Sequence, residues 1–216
     1  ERAENPVEQG SRLRRRLAGL HFRSPTGQSP QAQVDMRGFG ENSQLRTLVL
    51  LDGHRMNRPD MGNMNWIRIP VGSIERVEVV HGGSSALHGS QALGGVINII
   101  TRGGAERSAH HPTEARVATI WGGYGLDDKR LSVTGSTPHI RYDFDAQRYF
   151  NDGYRENSRY VADTASLRLA LPFGDGGRLS ASLSHVHSEY GFPGSLSWAQ
   201  IEADRRQATT PNDEGH

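Results

Sequence analysis

The chain has 216 residues, 25 lysines and arginines against 24 aspartates and glutamates, and no cysteine. This length supports one large domain or two small ones. The lack of cysteine excludes disulfides, thiolate catalysis and cysteine-based zinc sites, and the nearly balanced charge argues neither for nor against nucleic-acid binding. No stretch approaches the roughly 20 apolar residues of a transmembrane helix, and no apolar signal region opens the chain.

The first half of the chain alternates short hydrophobic runs with glycine-rich loops. Three runs, Thr47–Gly53, Glu75–Val80 and Gly94–Gly104, are rich in Val, Ile or Leu and are closed by glycines. Runs of this kind predict short buried strands. Between the last two, Ser84–Ser90 predicts one helical turn, with Ser84 as its N-cap and Gly89 as its C-terminal stop.

From about residue 114 the hydrophobic pattern changes to strict alternation. In His139–Phe150, Ala165–Phe173 and Arg178–His187, apolar residues recur at every second position, and most of the positions between them are polar or charged. Since strand side chains point alternately to opposite faces, residues 114–190 predict about five amphipathic antiparallel strands. A soluble sandwich and a membrane barrel with its apolar face toward lipid both fit this alternation.

Strand and loop lengths favour the barrel. His139–Asn151 and Tyr160–Phe173 are long enough for the ~9–11 residues of a membrane strand, and a tight turn and a longer loop connect them to their neighbours. About five strands are too few to close a barrel. Residues 191–216 lose the alternation and are expected to form a loop. We therefore expect this chain to be the N-terminal piece of a larger barrel protein.

Two stretches resemble a known family. QVDMRGFGENSQLRTLVLLDGHRMN and IPVGSIERVEVVHGGSSALHGSQALGGVINIITRGG are similar to the plug domain of TonB-dependent outer-membrane receptors. The resemblance implies an α+β plug domain followed by the first antiparallel strands of a transmembrane β-barrel, here an incomplete barrel. The expected divisions are a lead-in at 1–32, the plug at 33–110, first strands at 111–190 and an extracellular loop at 191–216.

The resemblance also implies a function. It implies TonB-dependent active uptake of a metal chelate, a ferric siderophore or a cobalamin-like compound, across the outer membrane of a Gram-negative cell. The expected partners are TonB with its inner-membrane energising complex, the chelate and outer-membrane lipid, with no nucleic acid and no cofactor. The alternatives are a stand-alone plug-like binding or signalling module and a receptor remnant without function.

Site residues follow from the same resemblance. Four residues are expected at the interface between plug and barrel: Arg37, Glu75, Glu78 and His81. The family's usual arginine stands where this chain has His81, and its usual aromatic residue stands where this chain has His88. Amide, charged and aromatic side chains that can grip a polar chelate are expected to contact the ligand: Arg58, Asp60, Asn63, Asn65 and Trp66.

Metal and enzyme sites are not expected. His185, His187 and Glu189 share one strand face at a spacing that metal ligands use, but residues of this kind more often line a polar lumen. The glycine-rich stretch lacks the Lys-Ser/Thr of a phosphate-binding loop, and the chain has no G-x-S-x-G elbow. A hydrolase built on Ser84 or His88 is the third alternative, and we expect no turnover from it.

Overall fold

The computed structural model describes residues 20–24, 27–57, 64–83, 87, 89–102, 112–174 and 177–215. Twelve strands in this part of the chain form three sheets. The strands of the first half are β1 (Leu20–Arg23), β2 (Gln33–Met36), β3 (Thr47–Leu51), β4 (His54–Arg55), β5 (Ile74–His81) and β6 (Gly95–Thr101). Those of the second half are β7 (Glu114–Trp121), β8 (Asp127–Ser136), β9 (Arg141–Asn151), β10 (Tyr160–Phe173), β11 (Gly177–Gly191) and β12 (Glu214–Gly215).

The first half folds around a four-stranded sheet, here called the small sheet, in the order β4-β3-β6-β5. β3 runs parallel to β6, and β5 runs antiparallel to β6 with an irregularity between Ile74 and Arg76. Val49, Ile97 and Ile99 form its core together with residues of the β1–β2 hairpin, which lies against it. The three hydrophobic runs therefore form strands, as their composition predicts, but β5 is not buried as expected: its residues are half-buried or exposed, and Val80 is 52% exposed. Short 3-10 turns connect these strands, at Ser29–Gln31, Gly40–Leu45, Trp66–Arg68, Val71–Ser73 and Ser90–Ala92.

Gly95 illustrates why this half needs glycine. Its φ is +150°, and an added Cβ would lie 2.5 Å from the Val80 carbonyl oxygen and 2.6 Å from Met36 Cε. Both distances are far below van der Waals contact, so a side chain at this position would separate β6 from β5 or displace the core methionine. Glycine here permits close backbone approach at the start of a buried strand.

The second half is a six-stranded antiparallel sheet, here called the wall, in the order β12-β11-β10-β9-β8-β7. Neighbouring wall strands follow each other along the chain, and only α1 (Trp198–Ala203) and its flanking loops separate β12 from β11. The face of the wall toward the small sheet is called the inner face. Ser132, Asp143 and Asp145 lie on it and are buried.

The opposite, outer face of the wall exposes several large apolar side chains. Val117 is 78% exposed, Leu183 is 72% exposed, and Leu167 and Leu171 are also exposed. Successive side chains of a strand point to opposite faces. Each of these residues is next to an inner-face residue, or next to a residue that the strand register pairs with one, and so lies on the outer face. Within the described residues, no helix is both long and apolar enough to span a membrane.

Two features differ from the expectations. His185, His187 and Glu189 do not line the inner face: the β10–β11 register pairs Ser182 with Arg168, so Ser182 lies on the inner face and the odd-numbered residues point outward. The segment after β11, expected to be a loop, contains α1 and β12. Two side chains of the loop between β9 and β10 hold this segment: Arg155 donates to three of its main-chain carbonyl oxygens, and Asn157 donates to three more.

Candidate functional site

The small sheet meets the wall at the turn Val71–Ser73. This turn immediately precedes β5 and lies against the inner faces of β8 and β9. Gly72 lies close to the wall, since a Cβ added to it would lie 2.9 Å from Ser132 Cβ. A side chain at position 72 would therefore push the two sheets apart, and glycine lets the main chain reach the wall.

Ser73 is the side chain through which this turn bonds to the wall. Its Oγ lies 2.6 Å from Asp145 Oδ1, 3.0 Å from Asp143 Oδ1 and 3.1 Å from Ser132 Oγ. A hydroxyl has one proton to donate, so Ser73 donates to one carboxylate at a time and can accept from Ser132. The 2.6 Å distance makes Asp145 its principal acceptor.

A buried ion pair completes the contact. Arg168 Nη2 lies 3.0 Å from Asp143 Oδ1 and 3.2 Å from Asp145 Oδ2. Ser73 and Asp143 are fully buried, and only 17% of the Arg168 side chain is exposed. Two carboxylates facing one guanidinium in a desolvated position need further donors, because buried charges are costly unless they are hydrogen-bonded. Ser73, from the small sheet, supplies such a donor.

Arg102 holds the turn from the side of the small sheet. Its main-chain N–H donates to the Ser73 carbonyl oxygen at 2.8 Å, and its guanidinium donates to the Gly72 carbonyl oxygen. Arg102 directly follows the end of β6, so the turn that contacts the wall is fixed to a buried strand. Any movement of this turn away from the wall must move β6 or break these two hydrogen bonds.

A second group of contacts lies near the start of β10. Tyr160 is fully buried, and its hydroxyl lies 3.2 Å from Asn65 Oδ1. Gln28 Nε2 donates to the Ser158 carbonyl oxygen at 2.5 Å. Tyr160 also packs edge-on against Tyr149 and stacks on Tyr190, with ring centroids 5.8 Å and 5.5 Å away. The first half of the chain is thus bonded to the wall at two separate places.

Two of the five residues expected to bind ligand can be located, while Arg58, Asp60 and Asn63 lie outside the described residues. Asn65 Oδ1 accepts from the Ile67 N–H at 3.2 Å and caps the Trp66–Arg68 turn. Trp66 Nε1 donates to the Ala32 carbonyl oxygen at 2.5 Å, and its ring packs against Phe22. Both side chains support the local fold, and their contact with ligand stays a prediction.

None of the four residues expected at the plug–barrel interface is among the hydrogen-bond and ion-pair partners described for the Ser73 contact. Arg37 is exposed, at a φ of +68°, and forms no ion pair within the described part of the chain. Glu78 is exposed and bonds within the small sheet, to Arg76 Nε at 2.9 Å and Asn98 Nδ2 at 3.2 Å. Hydrogen bonds from Arg76 and Asn98 hold the pKa of Glu78 below its ordinary value. Glu75 is half-buried and His81 exposed, and interface roles for all four stay predictions.

The contact that the structure displays was missed in the sequence. No motif in the sequence singles out Ser73. One indication was available: Asp143 and Asp145 share the polar face of their predicted strand, and Arg168 lies on the polar face of the next strand. Opposite charges at polar positions of adjacent strands indicate an ion pair, but they do not identify what covers it.

Ser84 and His88, the residues of the hydrolase alternative, lie outside the described residues. Across the described ranges, no group of three His, Cys, Asp or Glu side chains is placed to hold a metal ion. His187 Nε2 lies 3.3 Å from Glu189 Oε1, and both side chains are exposed on the outer face. The site as described joins two sheets and holds them in place.

The comparisons with known proteins agree with one another on the family that this chain resembles. The model of the TonB-dependent receptor plug domain matches residues 3–96. The vitamin B12 transporter BtuB of Vibrio vulnificus strain CMCP6 is 44% identical over 87 residues, which cover 40% of this chain and 14% of that protein. BtuB of V. vulnificus strain YJ016 is 34% identical over 145 residues, or 65% of this chain and 22% of that protein. The chain therefore spans less than a quarter of these relatives.

Solved structures agree on the fold. The unliganded ferric citrate transporter FecA superposes with a TM-score of 0.69 and 21% identity, covering 91% of this chain and 31% of that chain. At this identity the likeness shows the architecture alone: a plug domain followed by consecutive antiparallel barrel strands. Since nine-tenths of this chain is covered, the match extends over parts of both the small sheet and the wall.

Proposed function

We propose that this chain, which carries the plug domain of a TonB-dependent receptor and the first strands of its barrel, acts in the active import of a metal chelate across the outer membrane of a Gram-negative cell. The cargo is a ferric siderophore or a cobalamin-like compound. The energy comes from TonB and its inner-membrane complex, which pull on a segment before the plug. The chain itself performs no covalent chemistry.

One observation carries this proposal: the wall buries polar side chains beneath the small sheet and exposes large apolar side chains on its outer face. Its inner face holds the buried Ser132, Asp143 and Asp145 against the small sheet, while Val117 and Leu183 on the outer face are exposed. A soluble sandwich would have the reverse arrangement, with the apolar face covered. An apolar outer face around a polar interior is the arrangement of a transmembrane barrel.

In this proposal the Ser73 contact keeps the plug closed until TonB pulls. The Ser73 hydroxyl joins the plug to β8 and β9, and Arg168 of β10 pairs with the same two carboxylates that face Ser73. Such a contact resists thermal opening, because each hydrogen bond to a charged group contributes on the order of 1.5–3 kcal/mol. It remains reversible, since only non-covalent bonds break when the plug moves.

The stand-alone module is the second candidate, and its plug would bind a partner without a barrel. The exposed apolar face of the wall speaks against it, because a free sheet of this kind needs a covering layer and the described residues supply none. The relatives and structural neighbours named above are transporters by name, which supports the first candidate. These observations do not distinguish a ferric siderophore from a cobalamin-like compound as the cargo.

Uptake by cells tests the proposal. A strain lacking its own receptors would express the gene that encodes this chain, with and without TonB, and would receive radiolabelled cyanocobalamin and iron-loaded siderophores. We expect accumulation of one of these compounds, and its loss in the strain without TonB. Blotting of the outer-membrane fraction with an antibody to the plug would establish the length of the polypeptide. A soluble product near 24 kDa, with no TonB-dependent uptake, would support the module instead.

A further inference from the structure

In the described part of the wall, the charged side chains of the outer face lie at one end. The strand register aligns four residues side by side, one each from β8, β9, β10 and β11, and they are here called the collar: Lys129, Arg148, Asp163 and His187. Asp127 and Glu189 occupy the next outer positions, at the end of the wall where β8 begins and β11 finishes.

The outer face changes character within one row of the collar. The adjoining row, on the side away from Asp127 and Glu189, aligns Val117, Leu131, Ala146, Ala165 and His185. In that row and beyond it, the outer positions of the described wall contain no Asp, Glu, Lys or Arg. Neighbouring rows are two residues apart, about 7 Å along a strand. The charged and apolar parts of this face therefore meet at a sharp boundary.

Aromatic residues lie on the other side of the collar. Transmembrane barrels commonly carry aromatic girdles where their strands leave the hydrocarbon. Here Trp121, which is 75% exposed, and Phe150 occupy the row of Asp127. If this aromatic row marked the boundary, the collar would lie inside the hydrocarbon. Strand length permits both arrangements, because residues 165–173 of β10 number nine and residues 163–173 number eleven, and a membrane strand needs about 9–11.

The contact between Arg148 and Asp163 is unsuited to hydrocarbon. Arg148 Nε lies 3.8 Å from Asp163 Oδ1, and the two side chains are 72% and 51% exposed. This separation is too long for a hydrogen bond. An ion pair taken out of water needs close geometry and further hydrogen bonds. Both side chains therefore require water or polar headgroups around them.

The other two collar residues extend away from the apolar rows. Lys129 Nζ lies 2.6 Å from Asp127 Oδ2, and His187 Nε2 lies 3.3 Å from Glu189 Oε1. Long side chains at a membrane interface extend in this way toward polar surroundings. The short side chain of Asp163 has no such reach, so its position limits how far the hydrocarbon can extend.

We propose that the membrane hydrocarbon ends between the collar and the row of Ala165, and that the collar lies among lipid headgroups. This inference rests on the proposed function, because it requires the wall to be part of a membrane barrel. It places Trp121 and Phe150 beyond the hydrocarbon, so charged residues rather than aromatic ones set the depth of the wall. A shift by one row would immerse the collar or expose apolar side chains to water, and charged groups on a lipid face destabilise a barrel more the deeper they lie.

The cysteine-free sequence allows a direct test. Asp163→Cys and Leu167→Cys place thiols on the outer face of β10, in the collar and two rows away from it. His187→Cys and Leu183→Cys repeat the comparison at the aligned positions of β11. The purified receptor would be reconstituted into dimyristoylphosphatidylcholine vesicles, with a charged, membrane-impermeant methanethiosulfonate reagent introduced on both sides by freeze–thaw.

The measured quantity is the modification rate of each thiol, divided by the rate for the same variant unfolded in urea. The receptor without an added cysteine gives the background. We expect the collar thiols to react at least about 10-fold faster than the thiols at positions 167 and 183, because a charged reagent is excluded from hydrocarbon.

Each other outcome contradicts a different statement. Protection at all four positions would place the boundary at the aromatic row and overturn the proposal, while leaving the barrel in place. Rapid modification at all four would show that the wall does not face lipid, and would overturn the membrane part of the proposed function as well. Uptake does not enter this measurement, so a receptor that imports no cargo can still show the expected pattern.

The same comparison in outer membranes isolated from cells tests the partner. We expect the collar thiols to remain reactive there, since headgroups leave them accessible to water. Collar thiols that are protected in cell membranes but reactive in vesicles would mean that a protein covers the collar, and would overturn its assignment to lipid headgroups.

Discussion

Replacing Ser73 by alanine removes the only side-chain donor that the Val71–Ser73 turn offers to the wall in the described structure. The substitution removes only the hydroxyl oxygen, and alanine can adopt the same φ and ψ as serine. The turn itself is therefore expected to form. Asp145 loses its 2.6 Å hydrogen bond and keeps Arg168 as its partner. Asp143 stays fully buried beside it.

The magnitude follows from counting protons rather than distances. Ser73 has three oxygen neighbours but a single proton, so the variant loses one hydrogen bond to a charged group, about 1.5–3 kcal/mol. A urea m-value of about 2 kcal/mol/M converts a loss of about 2 kcal/mol into a midpoint lowered by about 1 M. Counting all three distances as full bonds would predict a loss two to three times larger.

Hydrogen–deuterium exchange along a urea series measures this effect. Exchange of the β5 and β6 amides reports release of the small sheet in the intact receptor, and wall amides serve as the internal reference. Ser184→Ala is the matched control, because it removes an inner-face hydroxyl that forms no hydrogen bond with the described part of the small sheet. In an Asp145→Asn background, Ser73→Ala should cost less than about 1 kcal/mol, because its acceptor is then neutral. Equal midpoints for Ser73→Ala and Ser184→Ala would refute the assignment of Ser73 as the principal contact.

Three further substitutions test other parts of the structure. Gly72→Ala should destabilise the closed plug by about 1–3 kcal/mol, because its Cβ meets the wall, whereas Gly83→Ala has open space and should be neutral in the same exchange assay. Leu183→Arg on the outer face should cost about 2–4 kcal/mol in folding into lipid vesicles, and Ser184→Arg on the inner face should cost much less. Arg155→Met should leave the strands intact but expose the loop after β11 to limited proteolysis, because that loop loses three carbonyl contacts.

Acidification offers a test of the small sheet. Since Arg76 and Asn98 hold the pKa of Glu78 below its ordinary value, the ionised form is favoured by folding. The stability contributed by this pair is present above the unfolded pKa of glutamate and is lost as the pH falls through the lower folded pKa. We expect Glu78→Gln to remove this part of the pH dependence of unfolding and to lower stability at neutral pH by the same amount, which is small because the group is exposed. An unchanged pH profile in Glu78→Gln would contradict this role.

Local chemistry was sufficient to predict the strands and their faces. Val, Ile and Leu runs closed by glycine became β3, β5 and β6, and alternating runs became β9, β10 and β11. These predictions depend on neighbours two residues apart, which share a face whatever the rest of the chain does. The same periodicity places Asp143 and Asp145 on one polar face. The sequence alone left undecided whether that face or the apolar one was covered.

The tertiary structure decided which residues meet across the fold. Ser73 reaches Asp143 and Asp145, which are 70 and 72 positions away, and Asn65 reaches Tyr160, 95 positions away. Glu78 bonds inside the small sheet instead, because β5 pairs with β6 and places Asn98 directly opposite. Alternation determines the face on which a side chain lies, but not its depth along the wall or the sheet it contacts. Those depend on how the two halves pack, and that packing brings together residues that no sequence period connects.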